Sequence, residues 1–310
     1  MRMATVNTAW DHVSSNIFKT WVIMILFTLF TFAIVYVFAM AFGFGEVGAV
    51  GLLGGTFLVI GLMNFFAYFN SDKMLLGMAG AKQIQKHDHP EVFRTVENLC
   101  IASGLPMPKI YIIDDTATNA FATGRDPKHA AIAYTTGILS KLNKQELEGV
   151  TAHELSHIGN RDTLVMSVVS ILVGTIALLA DFFMHSLWYR DNDSDSKGNL
   201  VFLVIAIVAA ILAPIVATLI QLAVSRRREY LADASGVLLT RHPEGLASAL
   251  RKISADVEPL EVANRGTAHL YIVNPLKGEA AKAFFSGLFN THPPIQDRIK
   301  ALQEMEGHYS

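Results

Sequence analysis

The residues in this chain best equipped for chemistry are His153-Glu154-Leu155-Ser156-His157. Two histidines four apart share one helix face, so both imidazoles can reach a single zinc ion. The glutamate after the first then lies beside the water that such an ion activates. With 11 histidines in 310 residues, a chance match to this pattern is expected about 0.02 times. The bland alternative is two hydrogen-bonded histidines packed on a helix, but the flanks are apolar and proline-free, as a buried helix carrying a site requires. A catalytic zinc takes three protein ligands and keeps a fourth position for water, so one ligand must come from elsewhere in the chain.

The elements that hold this helix include long apolar stretches. Hydrophobic residues make up 52% of the chain and charged residues only 17%, against about a quarter charged in an average soluble domain. The apolar residues cluster into uncharged runs at Thr20–Gly45, Val47–Ser71, Thr163–Ala180 and Asn199–Ser225. Each is close to or above the roughly 20 residues that cross a bilayer as a helix. Basic residues Arg2, Lys19, Lys73, Arg161, Arg226, Arg227 and Arg228 flank these runs on one side, and only Arg190 and Lys197 on the other. The asymmetry puts both termini, and the residues between the second and third runs, in the cytoplasm. A net charge of −2 excludes a general nucleic-acid binder, and the single cysteine, Cys100, excludes a disulfide framework. Gly51-x-x-x-Gly55 in the second run suits close packing against the first helix.

Four units follow: residues 1–71 with the first membrane hairpin, 72–162 carrying the His-Glu helix, 163–225 as a second hairpin, and 226–310. Segments 72–162 and 226–310 are each small for an independent fold and are expected to share one site. Helices are expected over Pro90–Gly104, over Gln145–Asn160 continuing through Arg161-Asp162 into the third run, over Gly245–Ala255, and after His292-Pro293-Pro294. Strands are expected at Lys109–Ile113, Asn119–Thr123, His129–Tyr134 and His269–Val273. His87-Asp88-His89 reads as a solvated turn before the Pro90 helix.

If the second hairpin is continuous helix, the 32 residues from His157 to Tyr189 climb about 48 Å and the 30 from Asn199 to Glu229 descend about 45 Å. Glu229 then returns to the depth of the histidines and becomes the candidate third ligand; pairing with Arg226 on its own helix is the alternative. Asp233, one turn on, shares its face and can fix the tautomer of a ligand imidazole. Arg161-Asp162 reads as a charged collar at the membrane boundary, which puts the site on the order of 10 Å below it.

The chain resembles the HtpX-type membrane zinc metalloproteases, relatives of the CAAX prenyl protease of the endoplasmic reticulum. The resemblance runs through Leu105-Pro-Met-Pro-Lys109, Asn119-Ala-Phe-Ala-Thr-Gly124, His153-Glu-Leu-Ser-His-Ile-Gly-Asn-Arg-Asp162, Arg228-Glu-Tyr-Leu-Ala-Asp233 and Thr291-His-Pro-Pro294. It implies one zinc ion on His153, His157 and Glu229, with Glu154 as general base. It also implies that Asn119, Ala120, Phe121 and Ala122 form an edge strand that pairs with extended substrate. His292 and Arg298 match a family motif near the cleft, where an oxyanion contact and a structural role stand equally open. The implied protein is a mostly α, multi-pass membrane protein with four transmembrane helices and a cytoplasmic α+β zincin-like domain. It would sit in the cell inner membrane with its active site cytoplasmic, in contact with lipid bilayer and protein substrates and not with nucleic acid. The implied activity is cleavage of cytoplasmic regions of misfolded membrane proteins, in quality control and stress response. Specific processing of lipidated C-termini, or a membrane scaffold with a structural zinc, are the rival readings.

Overall fold

The computed structural model describes residues 9–41, 45–174, 226–263, 267–275 and 293–306. Two long helices open the chain, α1 (Ala9–Ala41) and α2 (Gly45–Met78), the second kinked at Asn70. Within them Val13–Ala33 and Leu53–Met78 are long and apolar enough to cross a membrane, and only 28% and 11% of their apolar windows are buried. Core helices of a soluble domain would bury most of that surface; here Phe18, Ile25, Leu29, Leu58, Leu62 and Phe66 stay exposed. The described residues thus hold two candidate spans where the sequence suggests four. The third run begins in a short apolar helix, α6 (Asp162–Gly174); its remainder, and the fourth run, lie outside the described residues.

The pairing of α1 with α2 differs from expectation. Trp21 stacks on Tyr68 at 5.7 Å, Phe32 meets Phe57 at 6.2 Å, and Asn64 donates to the Thr28 hydroxyl at 2.9 Å. A Cβ added at Gly51, Gly54, Gly55 or Gly61 would meet nothing within 4 Å. Aromatic and amide contacts, not the glycine face, hold these helices together.

Beyond α2 lies a four-stranded sheet of β1 (Lys82–Gln83), β2 (Lys109–Ile113), β3 (Ala120–Thr123) and β4 (Ala131–Thr135), ordered β1-β2-β4-β3. β2 and β4 run parallel, with Ile110 opposite Ile132, and β3 pairs antiparallel to β4, with Phe121 opposite Ala133. The amphipathic α3 (Pro90–Ser103) starts on Pro90 and stops at Gly104, whose φ of 70° is the left-handed C-cap that glycine adopts without strain. A short α4 (Thr136–Lys141), capped by Thr135, leads to α5 (Lys144–Gly159). A capping box nucleates α5: Asn143 accepts from the Glu146 N–H, and Glu146 accepts from the Asn143 N–H. Val150, Leu155 and Ile158 of α5 then bury against the sheet through Ile132 and Tyr134.

The helix does not run on into the apolar stretch as expected. It caps at Asn160, Arg161 turns with φ of 60°, and α6 restarts at Asp162. Residues 226–263 give α7 (Arg226–Thr240) and α8 (Pro243–Ala255), and the chain closes with α9 (Ile295–Glu306). His269–Val273 is not a strand: Ala268–Leu270 forms a 3-10 turn, and a single backbone bond, from the Ile272 N–H to the Ala120 carbonyl, ties the segment to β3.

Candidate active site

Two glycines let the helices close on α5. A Cβ at Gly149 would come within 2.6 Å of the Leu246 backbone in α8, and one at Gly236 within 3.2 Å of the His153 backbone nitrogen. The second contact brings α7 against the histidine face, so Glu229 and Asp233, one turn apart, both point at α5.

His153, His157 and Glu229 are buried, with one ligand atom from each lying within 4.8 Å of the others. The two Nε2 atoms stand 3.2 Å apart, and the Glu229 oxygens lie 3.5 Å from His157 Nε2 and 3.8 Å from His153 Nε2. Two imidazole nitrogens bound to one tetrahedral zinc at 2.0–2.1 Å would be about 3.3 Å apart. The donor set of two imidazoles and one carboxylate, and its spacing, therefore fit zinc.

Each imidazole is fixed from behind. His153 Nδ1 is 2.9 Å from Asp233 Oδ1, and His157 Nδ1 is 3.0 Å from Asp162 Oδ2. A carboxylate can only accept there, so Nδ1 carries a proton and Nε2 is the nitrogen left to ligate. Arg298, fully buried, forks onto Asp233 at 2.8 and 2.7 Å, donates to the Ile272 carbonyl at 3.2 Å, and lies 3.4 Å from Glu229 Oε2. Its guanidinium is thus engaged with the acids that support and line the site.

Glu154 is buried beside this cluster and accepts from the Ala122 N–H of β3. Along β3, the Ala120 carbonyl takes the Ile272 N–H, and the Asn119 side chain takes up the Ala120 N–H through Oδ1 and donates to the Val273 carbonyl. Phe121 meets Tyr271 edge-on at 5.1 Å. The expected substrate edge of Asn119, Ala120, Phe121 and Ala122 therefore flanks the site, with several of its outward backbone groups engaged by the chain itself.

Electrostatics follow from burial. In the metal-free protein, desolvation, aided by the Glu229 charge, pushes the Glu154 carboxyl up to about 7. Desolvation lowers His153. For His157 desolvation also works downward, but the bond to Asp162 and the Glu229 charge outweigh it and raise the imidazole to about 9.

Of the residues singled out from sequence, Glu154, His153, His157, Glu229, Asp233 and Arg298 converge here, while His292 lies outside the described residues. Asp162 was missed. Read as a membrane collar, it is buried against His157 instead, because the turn at Arg161 folds it back. Its signal in the sequence is the short polar break Asn160-Arg161-Asp162 between two apolar helices.

Two crossing helices that bury two imidazoles and a carboxylate around one point, with a second carboxylate alongside, define the class of metalloproteases built on His-Glu-x-x-His. The chain belongs to peptidase family M48, whose pattern matches residues 86–306, and is a metalloprotease. It is 45% identical to the protease HtpX homolog of Dictyoglomus thermophilum over 96% of this chain and 95% of that protein. It is 46% identical to that of Pyrococcus furiosus over 86% and 93%. The crystal structure of S. mikatae Ste24p is similar at a TM-score of 0.49 and 19% identity, covering 92% of this chain and 66% of that one.

Proposed function

We propose that this metalloprotease is a zinc-dependent endopeptidase of the cell inner membrane, cleaving cytoplasmic regions of misfolded membrane proteins. The observation that carries the zinc reading is the convergence of His153, His157 and Glu229 within 4.8 Å. In this reading they are the three ligands, and Asp233 and Asp162 hold the two imidazoles in their ligating tautomers. Zinc bound there supplies Lewis acidity, acidifying water and polarising the scissile carbonyl. Glu154 takes the proton from the attacking water on its carboxylate and delivers it to the leaving amine nitrogen. Arg298 serves as the buried counter-charge of Asp233 rather than as an oxyanion contact, which its fork onto that carboxylate supports.

Four spans, with the second hairpin at residues 163–225 and both termini cytoplasmic, follow from the apolar runs and the basic asymmetry around them. The two soluble segments, 72–162 and 226–310, then form one protease domain beneath the bilayer. A centre so close to two exposed apolar helices suits substrates that are themselves in the membrane. The edge strand Asn119–Ala122 receives extended substrate by β-augmentation, displacing the backbone contact made by Ile272.

The test is casein cleavage by detergent-purified protein, wild type beside Glu154→Gln, stripped with chelator and reloaded with zinc. Zinc-restored cleavage by wild type alone is the expected result. One bound zinc in both proteins with no cleavage of casein or of unfolded membrane-protein substrates would refute the quality-control endopeptidase reading.

A further inference from the structure

The polar face at the start of α1 has no place in the chemistry above, yet it reaches the metal centre. Asn16 is only 3% exposed, although it lies within the first candidate span, Val13–Ala33. Its Nδ2 donates both to the Asn160 carbonyl and to Asp162 Oδ1, each at 2.8 Å. The other oxygen of the same carboxylate, Oδ2, receives His157 Nδ1 at 3.0 Å. One amide group thus holds the end of α5 and the carboxylate behind a histidine at once, across 144 and 146 residues of sequence.

The local backbone explains why such a clamp is needed. The left-handed turn at Arg161 (φ 60°) is a conformation that a bulky residue adopts only when its surroundings enforce it. Arg161 donates to the Arg125 carbonyl at 3.1 Å and Thr163 to the Gly124 carbonyl at 2.8 Å, which fixes the far side of the turn. On the near side Asn16 binds the carbonyl just before Arg161 and the carboxylate just after it. With two N–H donors, an asparagine can satisfy both acceptors, whereas an aspartate there would set a second carboxylate against Asp162.

We propose that Asn16 is a positioning residue for the metal centre: through Asp162 it fixes the orientation of the His157 imidazole and so couples the first membrane helix to metal affinity. The inference rests on the zinc reading of His153, His157 and Glu229. Groups that orient a ligand from behind commonly change metal affinity by about 10- to 100-fold when altered.

The test measures Zn2+ affinity of the full-length protein in detergent by competition with a chromophoric chelator, alongside kcat and KM on casein. N16A and N16D are expected to weaken Zn2+ binding by about tenfold or more and to lower kcat with KM nearly unchanged. N64A, which removes the bond between α2 and Thr28 but leaves Asp162 untouched, is expected to bind Zn2+ as wild type does. The visible absorption of the Co2+-loaded protein should change in N16D and not in N64A. Wild-type affinity in N16A and N16D, or equal losses in N64A, would overturn the coupling. Failure of the wild type itself to bind Zn2+ would remove the metal reading and this inference with it.

Discussion

Replacing Arg298 with methionine tests whether the buried ion pair organises the centre. Burial works against a charged Asp233, and Arg298, fully buried and forked onto it at 2.7 and 2.8 Å, outweighs that effect and holds the carboxyl below its usual range. Methionine keeps much of the volume and removes the charge, leaving Asp233 beside His153 without its cation. Breaking a buried pair from one side costs about 3–5 kcal/mol. In a chain of this size each kcal/mol moves the unfolding midpoint by about 2 °C, so a fall of roughly 6–10 °C is expected. Intrinsic fluorescence of the detergent-purified, metal-free protein during heating reads it. Removing both charges in Arg298→Met/Asp233→Asn is expected to recover at least about 1 kcal/mol relative to Arg298→Met, because contacting residues are not additive. A midpoint for Arg298→Met within about 1 °C of wild type, or a double variant that simply sums the single losses, would refute the reasoning.

Four further outcomes can be measured. In the metal-free protein the carboxyl of Glu154 is raised to about 7 and the His157 imidazole to about 9, so the folded state holds protons that the unfolded chain releases at lower pH. Their contribution is full at low pH and is lost as pH rises through those values; below about pH 6.5 the lowered His153 works in the opposite direction, so thermal midpoints should fall between about pH 7 and 9, and Glu154→Gln should flatten the fall around pH 7. Because zinc must displace the His157 proton, Zn2+ affinity should rise over the alkaline part of that range, and a competition titration at several pH values checks it. Gly236→Val sets side-chain carbon against the His153 backbone, 3.2 Å from the position of a Cβ, and should weaken Zn2+ binding by pushing α7 away; unchanged affinity would show that the approach is dispensable. Glu146→Ala loses the capping-box bond to Asn143 and the contacts to Ser248 and Lys252, both at 2.7 Å, and should cost about 1–3 kcal/mol in unfolding experiments.

Much of this arrangement is legible in the residues. The four-residue spacing of His153 and His157 carries its own geometry, and Pro90 and Gly104 bracket α3 by local backbone preference alone. Helix length returns Glu229 to the histidines on the premise of continuous helices, whereas the chain breaks at Arg161; the break is easily misread because Asn160-Arg161-Asp162 suits a membrane boundary as well as a turn. Hydropathy reads Asp162 by its charge and cannot see that an imidazole, an amide and the Arg228 guanidinium surround it. Leu270, Tyr271, Ile272 and Val273 have the composition of a strand, yet among the described residues a single backbone–backbone bond, from Ile272 to Ala120, ties them to β3, since β propensity reflects burial as much as pairing. The glycines of α2 misled for a related reason: small residues permit close approach without dictating which neighbour comes close.

The ion pair that joins α9 to the centre also sets a clock. Arg298 follows His153 by 145 residues and Asp233 by 65. At translation rates of about 5–20 residues per second, the His-Glu helix leaves the ribosome about 7–30 s before the arginine that completes its surroundings. Throughout that interval Glu229 or Asp233 is either still unmade or lacks its counter-charge. A nascent chain therefore carries the peptidase motif before the ion pair that surrounds it is complete.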